Sequence, residues 1–182
     1  KEFTGGSHLL VRSLVHMDNP DHQAYRSLTQ KWFAPPNLES LKKDIRAIAK
    51  EYVQKMLEYG NECDFAKDVA IFYPLRVIMS ILGVPKEDEP RMLRLTQELF
   101  GGRDEDMIRD TDETSPESNT ITDFFEYFTN LTEERRKQPT EDVASVIANA
   151  QINDEPLGHL EAMSYYVIIA TAGHDTTSSS TA

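Results

Sequence analysis

Met163-Ser-Tyr-Tyr-Val-Ile-Ile-Ala-Thr-Ala-Gly-His-Asp-Thr-Thr177 is the stretch on which the reading of this chain turns. From Met163 to Ala172 it is apolar nearly all round any helix it forms, and a helix without a polar face belongs at the centre of a protein. The character then changes within one turn. Gly173 lets another group approach the backbone closely, at a helix-propensity cost of about 1 kcal/mol. Thr176 and Thr177 carry hydroxyls that can bond the carbonyls three or four residues back and loosen the helix. Asp175 sets a carboxylate beside those hydroxyls, an expensive group to keep in a dry interior. Together these residues predict an opened helix that presents an acid and an alcohol at a pocket, suited to proton delivery. The same residues also allow a plainer reading, in which the helix frays into the Ser/Thr-rich stretch that follows.

Working outward, helical periodicity dominates. A helix is predicted over 21–33, with Asn19 or Asp21 as its cap and Pro20 near its first turn. Leu38, Leu41, Ile45, Ile48, Ala49, Tyr52, Val53, Met56 and Leu57 recur at spacings of three and four, the apolar stripe of a long amphipathic helix that Gly60 can stop. Lys42, Lys43, Arg46 and Lys50 lie on its solvated face. A third helix spans 66–82 with a kink or a late start at Pro74, and closes at Gly83-Val-Pro85. A fourth begins near Glu87 and carries Met92, Leu95, Leu99 and Phe100. The acidic stretch 101–119 reads as a mobile loop. Helix resumes over 121–136 with Phe124, Phe125, Phe128 and Leu131 on one side, and a short helix follows over 143–150. A small hairpin is predicted around Asn153-Asp154, before the central helix of 159–182. No internal repeat or β-rich stretch occurs, so the class is mainly α with minor β.

Composition narrows the function. The 182 residues suit one domain, and 39% hydrophobic with 27% charged residues describes a globular chain. With 19 Lys and Arg against 31 Asp and Glu, the net charge of −12 argues against nucleic acid and against anionic membrane surfaces as partners. The single cysteine, Cys63, cannot make an internal disulfide, which points to a reducing, cytoplasmic setting. The run 165–170 is far short of the roughly 20 apolar residues that cross a bilayer. The chain begins at Lys1 with no basic-then-apolar leader and stops at Ala182 within a Ser/Thr run, so we expect a piece of a longer protein.

A second constellation is His22-Gln-Ala-Tyr-Arg26. Residues four apart share a helix face, so an imidazole and a guanidinium point the same way and suit a carboxylate or phosphate. By itself, such a pair is as readily an ordinary surface feature.

Both constellations match one family. Ala172-Gly-His-Asp-Thr-Thr177 resembles the oxygen-binding helix motif of cytochromes P450, (Ala/Gly)-Gly-x-(Asp/Glu)-Thr-(Thr/Ser). Met17-Asp-Asn-Pro-Asp-His22-Gln-Ala-Tyr-Arg26 resembles the bacterial P450 segment Met-Asp-Pro-Pro-Glu-His-x-x-x-Arg, with Phe33 where that segment has its Phe. Asn61-Glu-Cys-Asp-Phe65, Ile81-Leu-Gly-Val-Pro85 and Asp142-Val-Ala-Ser-Val-Ile-Ala-Asn-Ala150 fit between them in order, so the resemblance covers essentially the whole chain.

The resemblance implies a P450 fold truncated at both ends, one partial domain over 1–182, with the family's substrate lid at 101–119. It implies haem b with its iron, and dioxygen, as cofactors. His22 and Arg26 match the pair that holds a haem propionate, and Ala172 and Gly173 line the haem's distal face. Thr176 matches the alcohol that helps protonate dioxygen, and Asp175 the acid that relays the protons. The implied activity is insertion of one oxygen atom into a small hydrophobic substrate, terpenoid, steroid-like or aromatic. Electrons would come from NAD(P)H through a ferredoxin, with Arg26, Lys31, Lys42 and Lys43 as its basic docking patch on a monomer.

Asn19 departs from the family's first Pro, and His174 stands at a variable position, facing either packing or pocket. His8 and His16 read as surface residues. No metal ligand is expected in this chain. Cys63 lacks the Phe-x-x-Gly context of the thiolate loop and reads as a half-buried structural cysteine, so the axial thiolate lies outside the chain, and the chain alone is expected to be inactive. Two other classes compete. His174-Asp175 with His16, His22, Asp18 and Asp21 could suit a metal-dependent phosphohydrolase, though at poor spacings. A non-catalytic helical interaction module would account for the charge pattern but not for an Asp-Thr pair next to Gly.

Overall fold

The computed structural model describes residues 12–60, 62–101 and 116–182. Among these, helices α1 Asp21–Gln30, α2 Pro35–Glu58, α3 Phe72–Leu82, α4 Glu89–Gly101, α5 Pro116–Lys137, α6 Val143–Ala148, α7 His159–Ala172 and α8 Asp175–Thr181 account for most of the chain. Strands β1 Gln151–Ile152 and β2 Glu155–Pro156 pair antiparallel. Asn153 and Asp154 both take positive φ, 54° and 67°, as the tight turn of a two-residue hairpin requires. The mainly helical class and the hairpin are as the sequence predicts.

The core lies where α3, α5, α6 and α7 meet. Leu75, Met79 and Leu82 of α3, Phe124 and Phe128 of α5, Ile147 of α6, and Met163 and Tyr166 of α7 are all fully buried there. The Phe128 and Tyr166 rings stack with centroids 4.6 Å apart. Burying a tyrosine requires its hydroxyl to be satisfied. Tyr166 meets this by donating to the Ala144 carbonyl at 3.2 Å and accepting from the Thr132 hydroxyl at 3.0 Å. On α4, Met92 and Leu95 are buried as expected. The side chains of Leu99 and Phe100 lie outside the described residues.

Helix boundaries follow backbone chemistry. Pro35 and Pro36 open α2, where their fixed φ is preorganised and their missing N–H groups cost nothing. Gly60, with φ +83°, follows its end. Residues Ala66–Ala70 form a π-helical turn closed by the Ile71 N–H on the Ala66 carbonyl at 3.2 Å. Helix α3 then starts afresh at Phe72, which puts Pro74 in its first turn: the late start, not the kink.

Gly83 ends α3 at φ +69° while the Val84 N–H reaches back to the Met79 carbonyl at 2.8 Å. A Cβ at Gly83 would lie 1.9 Å from Asp142 Oδ2, so this glycine is required for space as well as conformation.

That close approach belongs to a buried polar junction. Arg135, 8% exposed, donates from Nε to Asp142 Oδ2 at 2.6 Å and from Nη2 to the Gly83 carbonyl at 2.9 Å. Asp142 in turn caps α6, its Oδ1 accepting from the Ser145 N–H at 2.7 Å. Burial pulls the Arg135 pKa down, but the hydrogen bonds and negative charges of Asp142 and Glu134 together outweigh it, and the net shift is upward.

Several expectations need correction. Helix α1 ends at Gln30, not 33, and is capped by neither Asn19 nor Asp21. Pro20 is its N-cap, accepting the first intrahelical bond from the Ala24 N–H at 3.2 Å, and the otherwise free His22 N–H bonds the Asp18 carbonyl at 2.9 Å. The Asp21 carboxylate pairs with Arg12 at 3.0 Å instead. The apolar stripe of α2 is buried only at Ile48 and Tyr52. Val53 and Leu57 stand 56% and 68% exposed, because among the described residues α2 packs along one side, against α3 and the π turn. At the two ends of the predicted acidic loop 101–119, Gly101 closes α4 and 116–119 begin α5; residues 102–115 lie outside the described residues.

Candidate functional site

The two constellations meet at one cavity. Its volume is about 550 Å³, and it opens between α1, α3 and the α7–α8 segment. Arg26 lines it from α1, Ile78 and Ile81 from α3, and Ile169, Ala172 and Gly173 from the central helix. This explains why α7 is apolar all round. Met163, Tyr166 and Ala170 face the core, while Ile168 and Ile169 on another side wall the cavity. Tyr165 forms part of the lining and donates its hydroxyl to the Tyr25 carbonyl at 2.5 Å, tying α7 to α1. Burial raises the Tyr165 pKa; the Thr29 hydrogen bond and the Arg26 charge work against that rise.

The central helix opens where its sequence predicts. Helix α7 ends at Ala172, Gly173 and His174 form a turn, and α8 begins at Asp175. Three hydroxyls bond carbonyls four residues back: Thr171 to Val167 at 2.6 Å, Thr176 to Ala172 at 3.2 Å, and Ser178 to His174 at 2.8 Å. Such bonds compete with the helix ladder and let it bend. The close approach expected at Gly173 is made by α3, for a Cβ there would lie 2.8 Å from Ile78 Cδ1. Thr176 is exposed, one turn beyond Ala172 and bonded to its carbonyl, so it is tied to a residue of the cavity wall. The side chain of Asp175 lies outside the described residues.

Of the residues singled out from sequence, Arg26, Ala172 and Gly173 share the cavity lining, while His22 and Thr176 are not part of it. The Arg26 guanidinium is exposed, and neither it nor the His22 ring has a hydrogen-bond or ion-pair partner among the described residues. His174 faces packing: it is 5% exposed and its Nε2 lies 2.9 Å from the Ile71 carbonyl. His16 is exposed, with Nδ1 3.1 Å from the Ser13 hydroxyl; His8 lies outside the described residues. Cys63 is exposed, which corrects the half-buried reading; it sits in the coil between α2 and the π turn, away from any core cluster. Among the described residues no three His, Cys, Asp or Glu side chains gather as metal ligands, so the described members of the set invoked for a phosphohydrolase form no such group. No helix among them is long and apolar enough to cross a membrane.

Sequence reading missed Arg12. Its backbone N–H donates to the Ser164 hydroxyl at 2.7 Å, and its guanidinium bridges Glu161 at 3.2 Å and Asp21 at 3.0 Å, fastening the starts of α7 and α1 together. No local pattern could signal this, because partners about 150 residues apart carry no periodicity.

Comparison with known proteins places the architecture. The chain is 43% identical to cytochrome P450-terp of a Pseudomonas species over 99% of its own length and 44% of that protein's. It is 30% identical to a steroid C26-monooxygenase of Mycolicibacterium smegmatis, over 92% of this chain and 38% of that one. Among solved structures, CYP108D1 of Novosphingobium aromaticivorans superposes with a TM-score of 0.81 at 50% identity, covering 96% of this chain and 40% of that one. Mycobacterium marinum CYP268A2, solved with pseudoionone, superposes with a TM-score of 0.84 at 25% identity, covering 93% and 41%. No protein-family model matches. The chain belongs to the bacterial cytochromes P450, and spans less than half the length of the relatives it matches.

The residues present fit a haem. That group is a flat apolar macrocycle with carboxylates along one edge, and the cavity offers isoleucine walls, a glycine backbone, and at its rim a guanidinium with no carboxylate of its own among the described residues.

Proposed function

We propose that this chain carries the cofactor-facing and oxygen-facing part of a haem-thiolate monooxygenase. The observation that supports this best is the meeting of Arg26 with the opened helix at Ala172–Gly173 on one apolar cavity. When bound, haem supplies the redox chemistry that activates dioxygen, with an axial thiolate from outside this chain.

The chain's own residues do the rest. Arg26, helped by His22, holds propionate carboxylates; a guanidinium grips a carboxylate through two parallel N–H donors. Ala172 and Gly173 keep bulk away from the face where oxygen and substrate meet. The hydroxyl of Thr176 passes on, one at a time, the two protons needed to release one oxygen atom as water, and Asp175 recharges it from outside after each. The isoleucine walls exclude water, which limits loss of activated oxygen to side reactions.

The substrate is small and hydrophobic, in keeping with those walls and with relatives named for steroid and methyl-branched lipid hydroxylation. A terpenoid, steroid-like or aromatic compound fits. The acidic stretch within 101–119 is the substrate lid. A ferredoxin carries electrons from NAD(P)H to a monomeric, cytoplasmic enzyme. The deciding test is hydroxylation by the full-length protein under isotopically labelled dioxygen: one labelled atom per product is expected, and unlabelled product overturns the reading.

Two further results are expected. Arg26→Leu lowers the haem recovered per purified protein severalfold, read from the haem absorbance, while Arg26→Lys falls between, because an ammonium keeps the charge but loses the fork. The docking patch draws on Arg26, Lys31, Lys42 and Lys43. The three lysines are exposed, Lys42 sharing its charge with Glu39 at 2.5 Å, a surface pair of little worth. Reversing charge at Lys31 and Lys42 is expected to weaken ferredoxin binding several-fold at low ionic strength, with the difference fading at high salt.

A further inference from the structure

We infer that His174 is the positioning residue of the site: its ring anchors the opening between α7 and α8 to the start of α3, and so sets where Thr176 stands. The inference rests on the proton-delivery reading of Thr176 given above.

Three observations carry it. First, His174 is 5% exposed, and a buried imidazole must find partners or cost the helix its place. Its Nε2 lies 2.9 Å from the Ile71 carbonyl. A carbonyl can only accept, so Nε2 carries the proton and donates. Second, Ile71 is no ordinary helical residue. It is the joint at which the π turn Ala66–Ala70 hands over to α3, and its own N–H bonds the Ala66 carbonyl across five residues. Third, the neighbouring residue of the opening is fitted to the same helix, since Gly173 leaves only the room that the Ile78 side chain occupies. The opening is therefore held at two points from one side, by an apolar contact at Gly173 and a directional hydrogen bond at His174.

The opening needs such an anchor. The Thr176 hydroxyl bonds the Ala172 carbonyl across it, and the Ser178 N–H and hydroxyl both bond the His174 carbonyl at 2.8 Å. These bonds tie α8 to the opening but do not orient the opening against the rest of the molecule. Among the described residues the ring of His174 supplies the long-range hydrogen bond that does. An apolar residue at this position could fill the space, but it could not select one rotation of the segment. A misplacement of a reacting group by about 1 Å costs on the order of a hundredfold in rate.

The test uses the haem-loaded, full-length enzyme with His174→Leu and His174→Gln, Thr176→Ala serving as reference. Glutamine can place an amide N–H near the position of imidazole Nε2; leucine keeps bulk and loses the donor. His174→Leu is expected to lower product formed per reductant consumed severalfold and to speed amide hydrogen exchange at residues 173–178, and His174→Gln to restore both in large part. In the parent, nitrogen NMR is expected to show the His174 ring as the Nε2–H tautomer. If Thr176→Ala uncouples the reaction and His174→Leu does not, the inference is overturned while the reading of Thr176 stands. If Thr176→Ala changes nothing, that reading fails, and hydrogen exchange decides the anchor: faster exchange in His174→Leu supports it, and unchanged protection overturns it.

Discussion

Thr176→Ala in the haem-loaded, full-length enzyme is expected to separate reductant consumption from product formation. Reductant is still consumed at a rate within a few-fold of the parent, product per reductant falls by roughly tenfold or more, and hydrogen peroxide makes up the difference. The size follows from what a positioned proton donor contributes, about 10²- to 10⁴-fold on the step it serves, less whatever water can replace. A loss of fold would look different. The Thr176 side chain is exposed and makes one 3.2 Å bond, to the Ala172 carbonyl at the end of the preceding helix, so removing it should move stability by no more than about 0.5 kcal/mol. Oxygen-consumption, peroxide and product measurements on one preparation, with its melting temperature, check the prediction. Unchanged coupling would remove Thr176 from the chemistry.

The largest stability effect is expected at a residue outside the site. Arg135→Ala should destabilise the protein by about 3–5 kcal/mol, the usual cost of leaving a buried charge without its partner. At roughly 2–4 °C per kcal/mol for a domain of this size or larger, the melting temperature should fall by about 6–20 °C. Asp142 would keep its Thr140 and Ser145 hydrogen bonds, at 2.6 and 2.7 Å, but lose its countercharge in a setting where its side chain is 9% exposed. The Gly83 carbonyl would lose its donor as well. Arg135→Lys should recover only part of this, since one ammonium cannot serve both the Asp142 carboxylate and the Gly83 carbonyl in the arrangement the fork provides. The pair Arg135→Met with Asp142→Asn should cost less than the sum of the single changes, because neither variant side chain is charged. Thermal unfolding of the four proteins checks this; additive costs would show that the junction contributes as separate contacts and not as an ion pair.

Much of the architecture is legible before any coordinates. The stripe at three- and four-residue spacing marks α2, Gly60 and Gly83 mark helix ends, and Asn153-Asp154 marks the hairpin. Each of these depends on conformational preferences of a few adjacent residues, which a linear reading captures. The misreadings have a common cause too. Polar residues at the start of α1 suggest a side-chain cap because such residues cap helices, but here the backbone carbonyl of Asp18 takes the His22 N–H and Asp21 is drawn off by Arg12. The spacing shows that α2 has an apolar stripe, but how much of it is buried depends on what lies opposite each residue, and among the described residues α2 packs against α3 and the π turn. The chemistry of a lone cysteine suggests a half-buried place for Cys63, and its exposure follows from where the α2–π-turn connection runs.

The site divides in the same way. That the central helix would be apolar, would open at Gly173, and would carry an acid and an alcohol just beyond was written in consecutive residues, because helix propensity, hydroxyl-to-carbonyl bonding and hydrophobic content are local properties. Which elements meet at that opening was not. Arg26 joins Ala172 and Gly173 on one cavity, Ile78 fills the room beside Gly173, and the Ile71 carbonyl receives His174, all through packing between elements far apart in the chain. Such contacts are selected by shape and by the need to satisfy buried polar groups. They exist only once the helices have assembled, and so they fall to the tertiary structure to decide.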